Sequence, residues 1–200
     1  NEKGSPLTEE QLASFLALAR RHLADASLLV LIGSVPPGVP AGFYRTLALA
    51  ASESGVPVVL DASGPLLLEG LKAHPVLIKP NLDELRESFG VSVSGLPALA
   101  GACRSIVREY GVSYVCLSMG ADGAMLVSAD AAWHTPSSPV SIRGVQGAGD
   151  SMVAGLCLGL LNSDAPEQLL RSAVAAAQGS LERPGTLLCT QKDFLRFLPQ

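Results

Sequence analysis

The sequence predicts an α/β fold of three layers, with helices on both faces of a mainly parallel sheet, and three observations carry that prediction. Short apolar runs without polar alternation recur along the chain, as strands buried on both faces require. Helical periodicity fills the intervals between them, which is the rhythm of βαβ crossovers. Of the 200 residues, 48% are hydrophobic and 16% charged, enough apolar side chain to fill one sizeable core.

The elements follow in order. Thr8 and Gln11 have capping-box spacing, and Leu12, Phe15, Leu16, Ala19 and Leu23 recur at helical intervals. Residues 28–32 form a first strand, read as covered on both faces, which stops at Gly33 and Ser34 before Pro36-Pro37-Gly38. The pattern repeats as helix 41–53, strand 56–60, helix 66–72 and strand 76–78. Helices at 82–89 and 98–110 precede a further buried strand at 114–117. There the rhythm changes: 119–123 reads as a turn and 124–127 with 131–134 as a β-hairpin. Helices at 147–161 and 166–181 follow, and Thr190 caps a short closing helix.

Composition excludes several functions. A net charge of −4 without basic runs disfavours nucleic acid and anionic membrane as partners. No apolar stretch nears the roughly 20 residues of a membrane span, and the opening residues are polar, so the chain reads as soluble and cytoplasmic. Cys103, Cys116, Cys157 and Cys189 lie far apart and read as reduced packing residues. His22, His74 and His134 are isolated from one another and from acidic clusters, and are read as surface or packing residues without a metal. No GxGxxG follows a first strand and no GxxxxGK[ST] occurs, which disfavours a dinucleotide-binding dehydrogenase and a P-loop enzyme.

In open α/β sheets ligands bind beyond the carboxyl ends of the strands. The most informative such loop is Gly147-Ala148-Gly149-Asp150-Ser151, directly before a strong helical pattern. Its small residues let main-chain N–H groups at a helix N-terminus approach an anion, and the helix dipole favours negative charge there. Asp150 is placed to accept the proton of an attacking hydroxyl. From spacing alone it is as readily a helix cap, because one Gly-x-Gly at a helix start does not separate the two.

GAGDSMVAG at 147–155 resembles the C-terminal signature of the ribokinase-like, or PfkB, carbohydrate kinases. GSVPPGVP at 33–40 resembles that family's substrate-side loop, VVLDASG at 58–64 its next strand and loop, and KPNLDE at 79–84 its NxxE motif. SMGADGAML at 118–126 resembles the nucleotide loop and ERPGTLLC at 182–189 the closing segment. The likeness spans essentially the whole chain and is greatest to the sugar-phosphate branch, the 1-phosphofructokinases, tagatose-6-phosphate kinases and minor 6-phosphofructokinases.

The resemblance implies a ribokinase-like α/β/α fold and an ATP-dependent, Mg²⁺-requiring transfer of phosphate to a hydroxyl of a phosphorylated ketohexose. Fructose 1-phosphate is the first expected acceptor, with fructose 6-phosphate and tagatose 6-phosphate next. It implies that Asp150 is the catalytic base and that the N–H groups of Gly147, Ala148 and Gly149 form the anion hole. Asn81 and Glu84, one helical turn apart, would organise Mg²⁺ through water, and Lys79 would neutralise phosphate charge. Ser118, Met119, Gly120, Ala121, Asp122 and Gly123 would line the nucleotide, and Ser34 would face the sugar phosphate. Read without the family, Glu84 is an ordinary first-turn acid, Lys79 a solvated strand-end charge, and Gly120 and Gly123 hairpin glycines.

Some positions depart from the family pattern. Gly144, Val145 and Gln146 stand where Asp or Asn and then Thr are usual, Ile32 replaces a small polar residue, and Arg183 a neutral one. Family members are also about half as long again. Asn1 to Gly4 resembles an internal segment, so the chain is expected to lack the N-terminal strands, the β lid and much of the sugar site. Sheet surface left open by that lack is expected to favour self-association, with a homodimer as the outcome. Two other readings remain: a kinase for an unphosphorylated sugar or nucleoside, and a non-catalytic nucleotide-binding fragment.

Overall fold

Six strands form a single sheet in the order β1-β2-β3-β4-β5-β6 in the computed structural model, which describes residues 4–198. Asn1 to Lys3, part of the opening segment likened to the family, lie outside the described residues. The strands are β1 (Leu29–Ile32), β2 (Val58–Asp61), β3 (Leu77–Ile78), β4 (Tyr114–Ser118), β5 (Ala124–Val127) and β6 (Ala132–Thr135). The first four are parallel, and β5 and β6 return antiparallel as the predicted hairpin.

Successive strand residues point to opposite faces, and both faces are covered across the middle of the sheet. Val58, Leu60, Ile78, Val115 and Leu117 enter one core with the helices α1 (Glu9–Leu23), α2 (Phe43–Glu53), α3 (Gly64–Leu71), α4 (Leu82–Phe89) and α5 (Leu96–Tyr110). Val59, Leu77, Cys116, Ala124 and Leu126 enter the other, under α6 (Ala148–Leu161) and α7 (Pro166–Leu181). This double burial is why the strand sequences do not alternate. The closing helix α8 is Gln191–Phe197, and among the described residues no helix is long and apolar enough to cross a membrane.

β1 departs from the expectation of cover on both faces. Leu31 is buried in the first core, whereas Val30 and Ile32 are 38% and 39% exposed. Val30 is in register with Val59, so its side chain faces the α6–α7 side, but among the described residues it lies outside the apolar cluster packed there. Helices expected from 66 and 98 begin earlier, at Gly64 and Leu96. Pro65 and Pro97 occupy their first turns, where a missing N–H costs no helical hydrogen bond. α6 and α7 approach closely because Gly155 has no side chain: a Cβ there would lie 2.5 Å from the Ser172 carbonyl oxygen.

Candidate active site

The parallel register brings the loops singled out in the sequence to one edge. Ile32 is level with Asp61, Leu60 with Ile78, Ile78 with Val115, and Asn81 bridges to Ser118. At about 4.8 Å per strand, the loops after β1 and β4 lie about 14 Å apart along this edge. Ser34 stands exposed at one end and half-buried Ser118 at the other. Gly33 anchors the first loop: it takes φ +81°, its N–H donates to the Asp61 carbonyl at 2.8 Å, and the buried Tyr44 hydroxyl donates to the Ile32 carbonyl at 2.8 Å.

Asp61 ends β2, and its carboxylate lies 3.2 Å from Lys79 Nζ. Lys79 is buried, so its charge requires this partner. Burial pushes the Asp61 carboxyl above the usual carboxylate range; Lys79 opposes the shift, and Glu84 and Asp150 add to it by repulsion. Asp61, Glu84 and Asp150 therefore share one electrostatic neighbourhood around a buried lysine.

Asn81 and Glu84 form a reciprocal capping box at the start of α4. Asn81 Oδ1 accepts from the Glu84 N–H at 2.8 Å, and Glu84 Oε2 accepts from the Asn81 N–H at 2.9 Å. The NxxE spacing thus has a local structural use, and the box fixes both side chains toward the site edge. Among the described residues no group of three His, Cys, Asp or Glu is placed to hold a metal ion directly. The oxygen donors of Asn81, Asp61 and Glu84 suit a hard cation that keeps much of its water shell.

The 119–123 turn is a short 3₁₀ segment, Gly120–Asp122, closed by Met119 N–H to the Gly123 carbonyl at 2.9 Å. Gly123 has φ +84°, and a Cβ there would sit 2.1 Å from the Thr135 carbonyl oxygen, so only glycine fits. Across the edge, Gly147 caps α6 with φ +82°, and Leu188 closes over it. The first-turn N–H groups of α6 lack intrahelical acceptors and point outward with the positive end of the helix dipole. Asp150 is exposed in that turn, and Lys79 Nζ lies 3.6 Å from where a Gly149 Cβ would stand, behind the loop.

Between these elements lies a cavity of about 760 Å³. Of the residues expected from sequence, Asn81, Ser118, Met119, Gly120, Ala121, Gly123, Ala148 and Gly149 line it. Asp122 does not. The 3₁₀ turn carries it off the wall, and its carbonyl accepts from His134 Nε2 at 2.8 Å. Lys79, Glu84, Gly147, Asp150 and Ser34 also stand outside the cavity lining.

The sequence reading missed several contributors. Asp61, inside VVLDASG, has one sequence signal, a carboxylate ending a buried strand. The apolar wall of Pro139, Val140, Ile142 and Val145 comes from a loop with no periodicity to mark it. His134 is exposed, in keeping with a surface or packing residue, and its ring also bonds the Asp122 carbonyl, a contact that sequence does not signal.

Comparison with known proteins identifies the family. The model of the pfkB family carbohydrate kinases matches residues 4–193. A 1-phosphofructokinase of Bacillus subtilis (strain 168) is 31% identical over 200 residues, covering 100% of this chain and 65% of that protein. An ATP-dependent 6-phosphofructokinase isozyme 2 of Mycobacterium tuberculosis is 32% identical over 194 residues, covering 97% and 57%. The crystal structure of phosphofructokinase-2 from Escherichia coli in complex with substrates and products superposes with TM-score 0.88 at 27% identity, covering 99% of this chain and 64% of that one. A ribokinase from Arabidopsis thaliana, at TM-score 0.77 and 22% identity over 98% of this chain and 60% of that one, shares the fold. The fold is therefore ribokinase-like, and the chain spans 65% or less of the length of these relatives.

Proposed function

The chain belongs to the pfkB family of carbohydrate kinases, and from that premise we propose that it transfers the γ-phosphoryl group of ATP to a hydroxyl of a phosphorylated ketohexose. The observation that carries this reading is the start of α6, where Ala148 and Gly149 line the 760 Å³ cavity and exposed Asp150 stands beside them. The relatives' names, 1-phosphofructokinase and 6-phosphofructokinase isozyme 2, support a sugar-phosphate acceptor. Fructose 1-phosphate is first in order, followed by fructose 6-phosphate and tagatose 6-phosphate.

In this reading the apolar wall at Val140, Ile142 and Val145 takes the base, and the phosphates run from there toward α6. The N–H groups of the GAG turn stabilise charge on the transferring phosphoryl group. Asp150 accepts the proton of the acceptor hydroxyl. Ser34, on the same edge, orients the sugar phosphate. Asn81 and Glu84, with Asp61, hold Mg²⁺ through water; when bound, the ion neutralises phosphate charge. Lys79 holds Asp61 and places positive charge behind the loop. A homodimer joined at the open face of β1 and a cytoplasmic location belong to the same reading, supported by exposed Val30 and Ile32 and by the composition.

The test is Mg-ATP-dependent ADP release with a panel of ketohexose phosphates, for the chain and for Asp150→Asn, with ATP binding followed by calorimetry. Turnover with one acceptor is expected to fall about 10²- to 10⁴-fold in the variant, with ATP affinity retained. Equal turnover in both proteins refutes the assignment of the base, and absence of ATP binding refutes the nucleotide site.

A further inference from the structure

Two walls of the nucleotide cavity lie past the ends of the strand ladders. One is the turn at 119–123. Its main-chain bonds, Met119 to Gly123, Asp122 to Met119 and Gly123 to Gly120, all close within the turn. The other is the segment 136–140 after β6, which among the described residues makes no main-chain to main-chain hydrogen bond. The first wall is joined at both ends to the paired residues Ser118 and Ala124 and anchored by buried Met119, and each wall is further braced by a side chain that does not line the cavity.

For the first wall that side chain is His134, on β6, whose Nε2 lies 2.8 Å from the Asp122 carbonyl oxygen. The carbonyl can only accept, so the ring donates, from the Nε2–H tautomer or from the imidazolium. For the second wall it is Gln178, on α7, which is 4% exposed. Its Nε2 donates to the Ser138 carbonyl at 3.0 Å and toward Ser137 Oγ at 3.4 Å. A buried amide is costly without partners, so this side chain and the loop hold each other. The two walls meet at Gly123, where a Cβ would lie 2.7 Å from the Ser137 nitrogen. Displacement of either wall is thus felt by the other at the mouth of the cavity.

We propose that His134 and Gln178 are positioning residues that fix the two walls of this cavity and so set its affinity for Mg-ATP without touching the nucleotide. The proposal rests on the nucleotide reading given above. Neither residue contributes charge or a hydrogen bond to the ligand. Their effect is to remove the cost of ordering loop backbone when the ligand binds.

The experiment measures the dissociation constant for Mg-ATP by calorimetry on the whole chain, with thermal melting of each protein alongside. The variants are His134→Ala, His134→Gln, Gln178→Leu and the double His134→Ala, Gln178→Leu. One lost hydrogen bond predicts about a two- to tenfold weakening in each single deletion. Because the walls meet at Gly123, the double variant is expected to depart from the product of the two single effects, and a strict product overturns that coupling. His134→Gln keeps a donor and is expected to recover most of the loss. A role in stability alone would lower the melting temperature and leave the affinity unchanged. Should Gln178→Leu not fold, the exposed His134 pair still decides the matter. Affinity within twofold of wild type in His134→Ala and in every folded Gln178 variant overturns the proposal alone. A wild-type chain that binds no Mg-ATP overturns the nucleotide reading together with it.

Discussion

Replacing Lys79 with Met tests the electrostatic centre of the site. The side chains of Lys79 and Asp61 are 6% and 14% exposed, and their charged atoms lie 3.2 Å apart. At an effective dielectric of about 20 the Coulomb attraction at that distance is about 5 kcal/mol. Removing one partner of such a pair costs about 3–5 kcal/mol, because the other charge stays buried and unmatched. Asp61 retains its desolvation and the repulsion of Glu84 and Asp150 while losing Lys79, which lowers its pKa. Lys79→Met is therefore expected to lose about 3 kcal/mol at neutral pH, a fall of about 6–12 °C in melting temperature for a domain of this size. The deficit has a defined pH dependence. The folded-state pKa of Asp61 is raised, so the variant regains stability as pH falls through that value and Asp61 takes up a proton. Asp61→Asn in the Lys79→Met background is expected to recover most of the loss at neutral pH. Urea unfolding of the wild type, the single and the double variants at two pH values reads all of this. A neutral-pH deficit below about 1 kcal/mol, which is the order of a surface pair, refutes the argument. So does a larger deficit that neither acid nor Asp61→Asn relieves.

Other expectations rest on the packing of the last three helices. Gly155→Ala pushes a Cβ to 2.5 Å from the Ser172 carbonyl and 2.8 Å from Ala173 Cα. It should cost about 1–3 kcal/mol despite alanine's better helix propensity, and a melting temperature at or above wild type would contradict the close approach of α6 and α7. Asp193 caps α8, and hydrogen bonds from the Thr190 side chain and main chain, assisted by Arg183 and Arg196, hold its carboxyl below the usual carboxylate range. Its contribution is thus intact above the ordinary carboxylate pKa of about 3.9 and is lost as pH falls through the depressed native value. Asp193→Asn should melt below wild type at neutral pH and converge with it in acid; a constant difference across the titration would show that the charge plays no part.

The helices, strands and their order were legible because the signals are local. Thr8 with Gln11 and Thr190 with Asp193 close their own capping boxes within one turn, and the α7 boundaries, Pro166–Leu181, follow from a proline at the start and an unbroken apolar period. The GAGD turn was legible for the same reason: positive φ at Gly147 and a carboxylate in the first turn of α6 are properties of a few consecutive residues. Asp61 and Lys79 meet only because β2 and β3 lie side by side in one register, and a local reading of either residue carries no sign of the other. The same holds for the open face of β1, since a run such as Leu-Val-Leu-Ile is compatible with cover on both sides or on one. His134, Gln178 and the 136–142 wall belong to this second class as well. Periodicity and capping act over one helical turn or one strand, whereas pairing, burial and cavity shape are set by which distant segments the folded chain brings together.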